Sequence, residues 1–161
     1  MKKLLPLIVF ILFLALPAKT RELPKYVHTT DTRIERLQRF LLRYQSPMAP
    51  YAAVFIVVAD HYKLDWRLLP AIAGAESTFG KNTPSCAPYN FGGYRSYTSP
   101  CGYWRFVDYR EAIVIIARTI ATGERYHEFQ RTSEVRDLAR VYTESVEHWT
   151  GTVNYFLSEI E

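Results

Sequence analysis

Residues 68–82 read LLPAIAGAESTFGKN, and the way this stretch folds decides how the rest of the chain is arranged. Leu68, Leu69, Ile72, Ala73 and Ala75 leave no charged stripe over more than two helical turns, which predicts a helix buried on most of its sides. Pro70 falls early enough in that helix for its missing amide to cost little. Glu76 is the first acid of the stretch, close to the C-terminal end, with Gly80 as the expected stop. A carboxyl group placed there faces the negative end of the helix dipole, and its apolar neighbours strip water from it. Both effects favour the neutral, proton-donating form that general-acid catalysis near neutral pH requires. The plainer alternative is a glutamate at an ordinary solvated helix end.

The chain has 161 residues, 48% hydrophobic and 22% charged, which fits one globular domain with a single core. The formal net charge is +4, and without Lys2 and Lys3 there are 18 basic against 16 acidic residues. That balance is not the electrostatic footprint of a nucleic-acid-binding protein. Lys2 and Lys3, the apolar residues 4–16, and Pro17-Ala18 have the order of a secretory signal peptide, residues 1–18, and the apolar run is short for a bilayer span. A retained anchor is the alternative reading. Processing after Ala18 gives a secreted or periplasmic chain starting at Lys19, with no stable membrane span. Residues 19–30 read as a linker or arm, and residues 31–161 as the domain. In an oxidising compartment Cys86 and Cys101 are expected to pair, contributing about 3 kcal/mol by loop closure. The histidines show no ligand spacing, so neither a metal nor another cofactor is expected.

Asp31 or Thr32 can cap a helix over residues 31–44, with Ile34, Leu37, Phe40, Leu41 and Tyr44 on one face and Arg33, Arg36, Arg39 and Arg43 mostly on the other. Such an arginine stripe is read as a solvated face. Ser46-Pro47 is expected to open a nearly all-apolar helix to about residue 62, and Asp65 to cap the helix that carries Glu76. Between residues 80 and 107 the helical period disappears. Residues 89–94 and 103–106 are expected to pair as a small antiparallel ribbon with the disulfide at its base. Phe79, Tyr89, Phe91, Tyr94, Tyr97, Tyr103, Trp104 and Phe106 make this the expected working face, with some rings free to stack on sugars and about half in a local core. It contains no acid between Ser77 and Val107. Asp108 with Glu111 forms a capping-box pattern for a helix ending at Gly123. Ser133 is expected to cap another, and Val146, Trp149, Val153, Phe156, Leu157 and Ile160 lie on a last amphipathic one.

On the residues AIAGAESTFGKN (71–82) followed by YNFGG (89–93), Phe106-Val107-Asp108 before an Ala-Ile-rich helix, and VYTESVEHWTGTVNYF (141–156), the chain resembles the lysozyme-like clan that includes lytic transglycosylases and goose-type lysozymes. The resemblance implies a mainly α, lysozyme-like domain with a central buried helix and a small antiparallel β-ribbon lobe. It implies Glu76 as the catalytic acid, Ser77 as its polar neighbour, and Asn90, Phe91 and Gly92 along the saccharide cleft; from the aromatic lobe itself, Tyr94 and Trp104 are the further substrate-binding candidates. Tyr142 stands where the family's tyrosine holds the glutamate by a hydrogen bond, although Thr143 replaces the asparagine that normally follows. The larger transglycosylases' Gly-Leu-Met-Gln motif is absent, and Asn90-Phe91-Gly92-Gly93 is similar to related endo-glucosaminidases as well. The implied activity is cleavage of the β-1,4 bond between N-acetylmuramic acid and N-acetylglucosamine in peptidoglycan strands by a monomer, as a lytic transglycosylase or a hydrolase. A non-enzymatic glycan- or envelope-protein-binding module on the same fold is the alternative.

Overall fold

The computed structural model describes residues 31–161, so the signal-peptide and arm assignments lie outside the described residues. The described chain is mainly α-helical: α1 (Thr32–Arg43), α2 (Ala52–Tyr62), α3 (Leu68–Ser77), α4 (Tyr109–Thr122), α5 (His127–Thr132), α6 (Val135–Tyr142) and α7 (Val146–Glu159). None of these helices is long and apolar enough to cross a membrane.

α3 is the element closest to the middle of the core, with every residue from Leu68 to Ala73 buried. Asp65 does not cap it: the cap position falls on Arg67, and Asp65 accepts from the Arg67 backbone N–H (2.9 Å) in the turn before the helix, while Pro70 falls in the first turn, where helix amides have no internal acceptor. Its main partner is α7, which it meets at Gly74. A Cβ at that position would stand 2.6 Å from the Phe156 ring and 2.7 Å from Phe79, so only glycine allows the two helices this approach. Phe40, Tyr44, Phe79 and Phe156 form an aromatic cluster beside the contact, with centroid separations of 4.3–5.9 Å. α1 packs on α2, α2 on α4, and α6 bridges α5 and α7.

Several boundaries differ from expectation. The turn after Ser46 is held by its own hydroxyl, which accepts from Met48 N–H and donates to the Phe79 carbonyl, so a 3-10 turn (Ala49–Tyr51) precedes α2. α3 ends before Gly80, with Thr78 in the left-handed conformation. Asp108 does cap α4 by accepting from Glu111 N–H (2.7 Å), but Glu111 reaches back to Val107 N–H (2.7 Å), one residue short of a closed capping box. Ser133 does not cap α6. It ends the short α5 with φ 60, and Thr132 supplies the hydroxyl that accepts from Glu134 N–H.

The largest correction concerns the lobe over residues 80–107. Among the described residues no β-strand forms, and the expected ribbon is reduced to one antiparallel bridge between Arg95 and Tyr103. Backbone bonds from Trp104 N–H to the Tyr94 carbonyl (3.0 Å) and from Ser96 N–H to the Gly102 carbonyl (3.1 Å) flank the bridge. The buried Asn90 amide adds to them by donating to the carbonyls of Tyr94 (2.8 Å) and Trp104 (2.9 Å) and accepting from Tyr94 N–H (2.9 Å). The expected Cys86–Cys101 disulfide is present, with Cα atoms 6.4 Å apart, and closes a loop within the same lobe.

Candidate active site

Glu76 lies in the last turn of α3, immediately before a sharp reversal of the chain. Thr78, Phe79 and Gly80 have φ values of 50, 59 and 81, a left-handed run in which two of the residues are not glycine. Ser77 holds this run in place. Its buried hydroxyl accepts from Gly80 N–H (2.9 Å) and shares its single proton between the carbonyls of Phe91 (2.8 Å) and Ala73 (3.1 Å), while Phe79 N–H returns to Ala73 (2.9 Å). The Ser77–Phe91 bond also draws the loop carrying residues 91–95 over the end of α3.

The carboxyl group itself is held from two sides. Its Oε1 accepts from the indole Nε1–H of Trp149 on α7 (2.7 Å). Its Oε2 lies against Gly93, where an added Cβ would be 2.6 Å away. Burial raises the Glu76 pKa above the usual carboxyl value, and the indole hydrogen bond opposes this only in part. With Oε1 occupied by the indole, the proton of the neutral acid belongs on Oε2.

Glu76 opens into a cleft of about 550 Å³, lined also by Asn82, Thr83, Pro84, Asn90, Gly93, Arg95, Tyr103 and Tyr142. Glu76 is the only acid among these lining residues. Glu111 is committed to Val107 N–H, Glu147 to an ion pair with Arg136, and Glu144 is exposed. A second depression of about 430 Å³ shares Gly93, Arg95 and Tyr142 with the first, so the two adjoin. Gly92, Tyr94, Trp104 and Tyr97 line it, with Trp104 46% exposed and Tyr97 fully so. The Arg95 guanidinium sits 4.3 Å above the Tyr103 ring. Among the described residues no group of three or more His, Cys, Asp or Glu is placed to hold a metal ion.

The structure sorts the candidates of the sequence into distinct roles. Ser77 and Phe91 are buried behind the cleft and line neither depression; Phe91 packs edge-on against Phe55 in the core. They shape the site instead of touching a ligand. Asn90 reaches the cleft wall, but its amide is spent on the loop backbone. The Tyr142 assignment is corrected: the hydrogen bond to Glu76 comes from Trp149, and the Tyr142 ring stacks on that indole at 5.0 Å and 24°. The Tyr142 hydroxyl is buried. It lies near enough to that of Tyr94 for each to influence the other's ionisation, yet their geometry falls short of a hydrogen bond and Tyr142 Oη has no partner. Tyr94 Oη pairs instead with Tyr126 (3.2 Å).

Tyr142→Phe is therefore expected to fold with unchanged stability or a gain of up to about 1 kcal/mol, since it removes an unsatisfied buried hydroxyl. Thermal melting and turnover, measured side by side, check this; a large loss of turnover would return the hydroxyl to the role of holding the glutamate.

Trp149 and Gly93 are the functional positions that the sequence reading did not single out. The signal for Trp149 was its type: a buried indole N–H needs an acceptor, and α7 has no acid placed to supply one from its own inner face. Gly93 offered only the second glycine of YNFGG. No protein-family model, no curated protein and no solved structure matches this chain.

Proposed function

We propose that the chain is an exported glycosidase that cleaves the β-1,4 bond between N-acetylmuramic acid and N-acetylglucosamine in peptidoglycan strands, using Glu76 as its single catalytic carboxyl group, and that its helices follow the lysozyme-like arrangement. The observation that carries the reading is Glu76 itself: a carboxyl whose pKa burial raises, oriented by an indole on one oxygen, and opening into a cleft. The exposed Trp104 and Tyr97 faces along the adjoining second depression suit pyranose rings. The Cys86–Cys101 bridge agrees with an oxidising compartment.

The chemistry follows from one carboxyl group. The proton on Oε2 passes to the glycosidic oxygen as the C1–O bond breaks, leaving Glu76 ionised and a positive charge developing at C1. With no second acid on the cleft wall, the substrate's own 2-acetamido oxygen is the nearest group to stabilise that charge, in contrast to the paired-carboxylate arrangement of most glycosidases. Glu76 then takes a proton from the muramyl C6 hydroxyl as its oxygen bonds to C1, closing a 1,6-anhydro ring. Water in place of that hydroxyl gives hydrolysis and regenerates the acid in the same way.

Mass spectrometry of peptidoglycan digested by the purified protein tests this. Fragments one water lighter than the hydrolytic products are expected for a lytic transglycosylase, and hydrated fragments for a hydrolase. Folded protein that binds glycan but releases neither would leave a binding module and sink the enzymatic reading.

The indole makes a separate prediction. Trp149→Phe removes the one hydrogen bond that favours the ionised carboxyl, so the Glu76 pKa should rise further. An acid must be protonated to act, so the alkaline limb of the pH–rate profile should move to higher pH. The rate should nonetheless fall about tenfold or more because the carboxyl loses its fixed orientation. An unshifted alkaline limb would remove the indole from the proton-donating machinery.

A further inference from the structure

The second depression has an electrostatic character that glycan stacking does not use. Arg118 from α4, Arg125 from the turn after it and Arg95 from the aromatic loop all line it, and no acid does. Among the described residues none of these three guanidiniums has a carboxylate partner, although most of the other ion pairs on the surface join neighbours in sequence. Arg125 lies close enough to the phenols of Tyr94 and Tyr126, which line the same depression, to favour their ionised forms. Arg95 is held by its stack on Tyr103. Like charges gathered without a counterion repel one another, and an anion in their midst relieves that repulsion.

We infer that this depression is a carboxylate subsite, which engages an acidic substituent carried by the glycan whose linkage lies at Glu76. The inference rests on the glycan-cleavage reading. Because the two depressions share Gly93, Arg95 and Tyr142, a group held in one belongs to a sugar at or next to the bond held in the other. Guanidinium forks match the planar carboxylate in pairs of parallel hydrogen bonds, and the half-exposed Trp104 and fully exposed Tyr97 rings leave room for an open-chain substituent beside the sugar. In peptidoglycan the carboxylate has two sources: the side chains and terminus of the stem peptide, or the lactyl group of a strand stripped of peptide. A neutral N-acetylglucosamine oligomer has neither. The subsite would thus select muramyl-containing strands over chitin-like ones.

Affinities measured with the full chain carrying Glu76→Gln test this without turnover. The ligands are peptide-bearing strands, the same strands with their carboxylates converted to amides, peptide-free strands with a free lactyl carboxylate, and a neutral N-acetylglucosamine oligomer of equal length. Amidation should weaken binding by roughly tenfold, most at low salt. Arg118→Gln with Arg125→Gln should abolish that preference and leave the neutral oligomer's affinity unchanged. Tight binding of peptide-bearing strands alone assigns the subsite to the stem, and retention by peptide-free strands assigns it to the lactyl group. Equal binding of native and amidated strands overturns the subsite and leaves the glycan reading intact. Failure of every glycan to bind overturns both. The amidation comparison uses unaltered arginines, so it decides the matter even if the double substitution fails to fold.

Discussion

Glu76→Gln is expected to lower glycan cleavage by about 10²- to 10⁴-fold, the usual contribution of a general acid, while leaving glycan affinity close to that of the parent chain. Glutamine keeps the size of the side chain and its acceptor oxygen for Trp149, but it has no proton to give. The same substitution should stabilise the fold at neutral pH. Burial raises the carboxyl's folded pKa above its unfolded value of 4.5, so between the two values the folded chain binds more protons than the unfolded chain. Stability contributed by Glu76 is then fully present below the unfolded value and is lost as pH rises through the window up to the raised folded value. A neutral amide avoids that loss. Melting temperatures of the two proteins should therefore nearly coincide at pH 4 and diverge by pH 7, with the glutamine variant higher. An inactive variant that is also less stable at pH 7 would mean that the carboxylate is a structural partner and not a desolvated acid.

Gly93→Ala should be almost as damaging to activity, by at least about 10²-fold, because the new methyl group would occupy the space now taken by the reactive oxygen. Its Cβ would stand 2.6 Å from Oε2, too close for either atom to remain in place. Two costs must be separated here. Gly93 has φ 68, so any side chain adds a backbone penalty of about 1–2 kcal/mol independent of the carboxyl group. Gly102 provides the comparison: it has φ 72, and a Cβ there would meet nothing within 4 Å. Gly102→Ala should lose similar stability and keep its activity. If both variants lose activity equally, strain in the loop accounts for the effect and the close approach to Glu76 does not.

Much of the site was readable because local physics dictated it. An apolar run interrupted by a single acid in its last turn places that acid at a buried helix end whatever surrounds it, and burial does raise the Glu76 pKa. Asp31, Asp108 and Gly123 marked helix boundaries correctly because capping involves only neighbours within one turn. Ser133 failed for the same reason: α5 and the 3-10 turn before it were not anticipated, and the serine at their junction ends one helix while looking like the start of the next. The ribbon was over-read because short aromatic runs between turn-forming residues suggested two strands, whereas only a single bridge forms and Asn90 supplies much of the remaining backbone pairing.

By itself the sequence determined a mainly helical domain, the placement of Glu76 at the end of its most apolar helix, the pairing of Cys86 with Cys101, and a lobe rich in aromatic rings and poor in acid. These depend on periodicity, composition and short-range capping, all properties of neighbouring residues. Only the tertiary structure decided which side chain would hold the carboxyl group, since Trp149 and Tyr142 stand on adjacent helices and compete for one place. Only it could bring Gly93 to Oε2 and gather Arg95, Arg118 and Arg125 from a loop, a helix and a turn into one depression. Spacing along a chain carries no information about such meetings, because they are set by how closely α3 and α7 approach at Gly74 and by how Ser77 and Asn90 tie the loop across them.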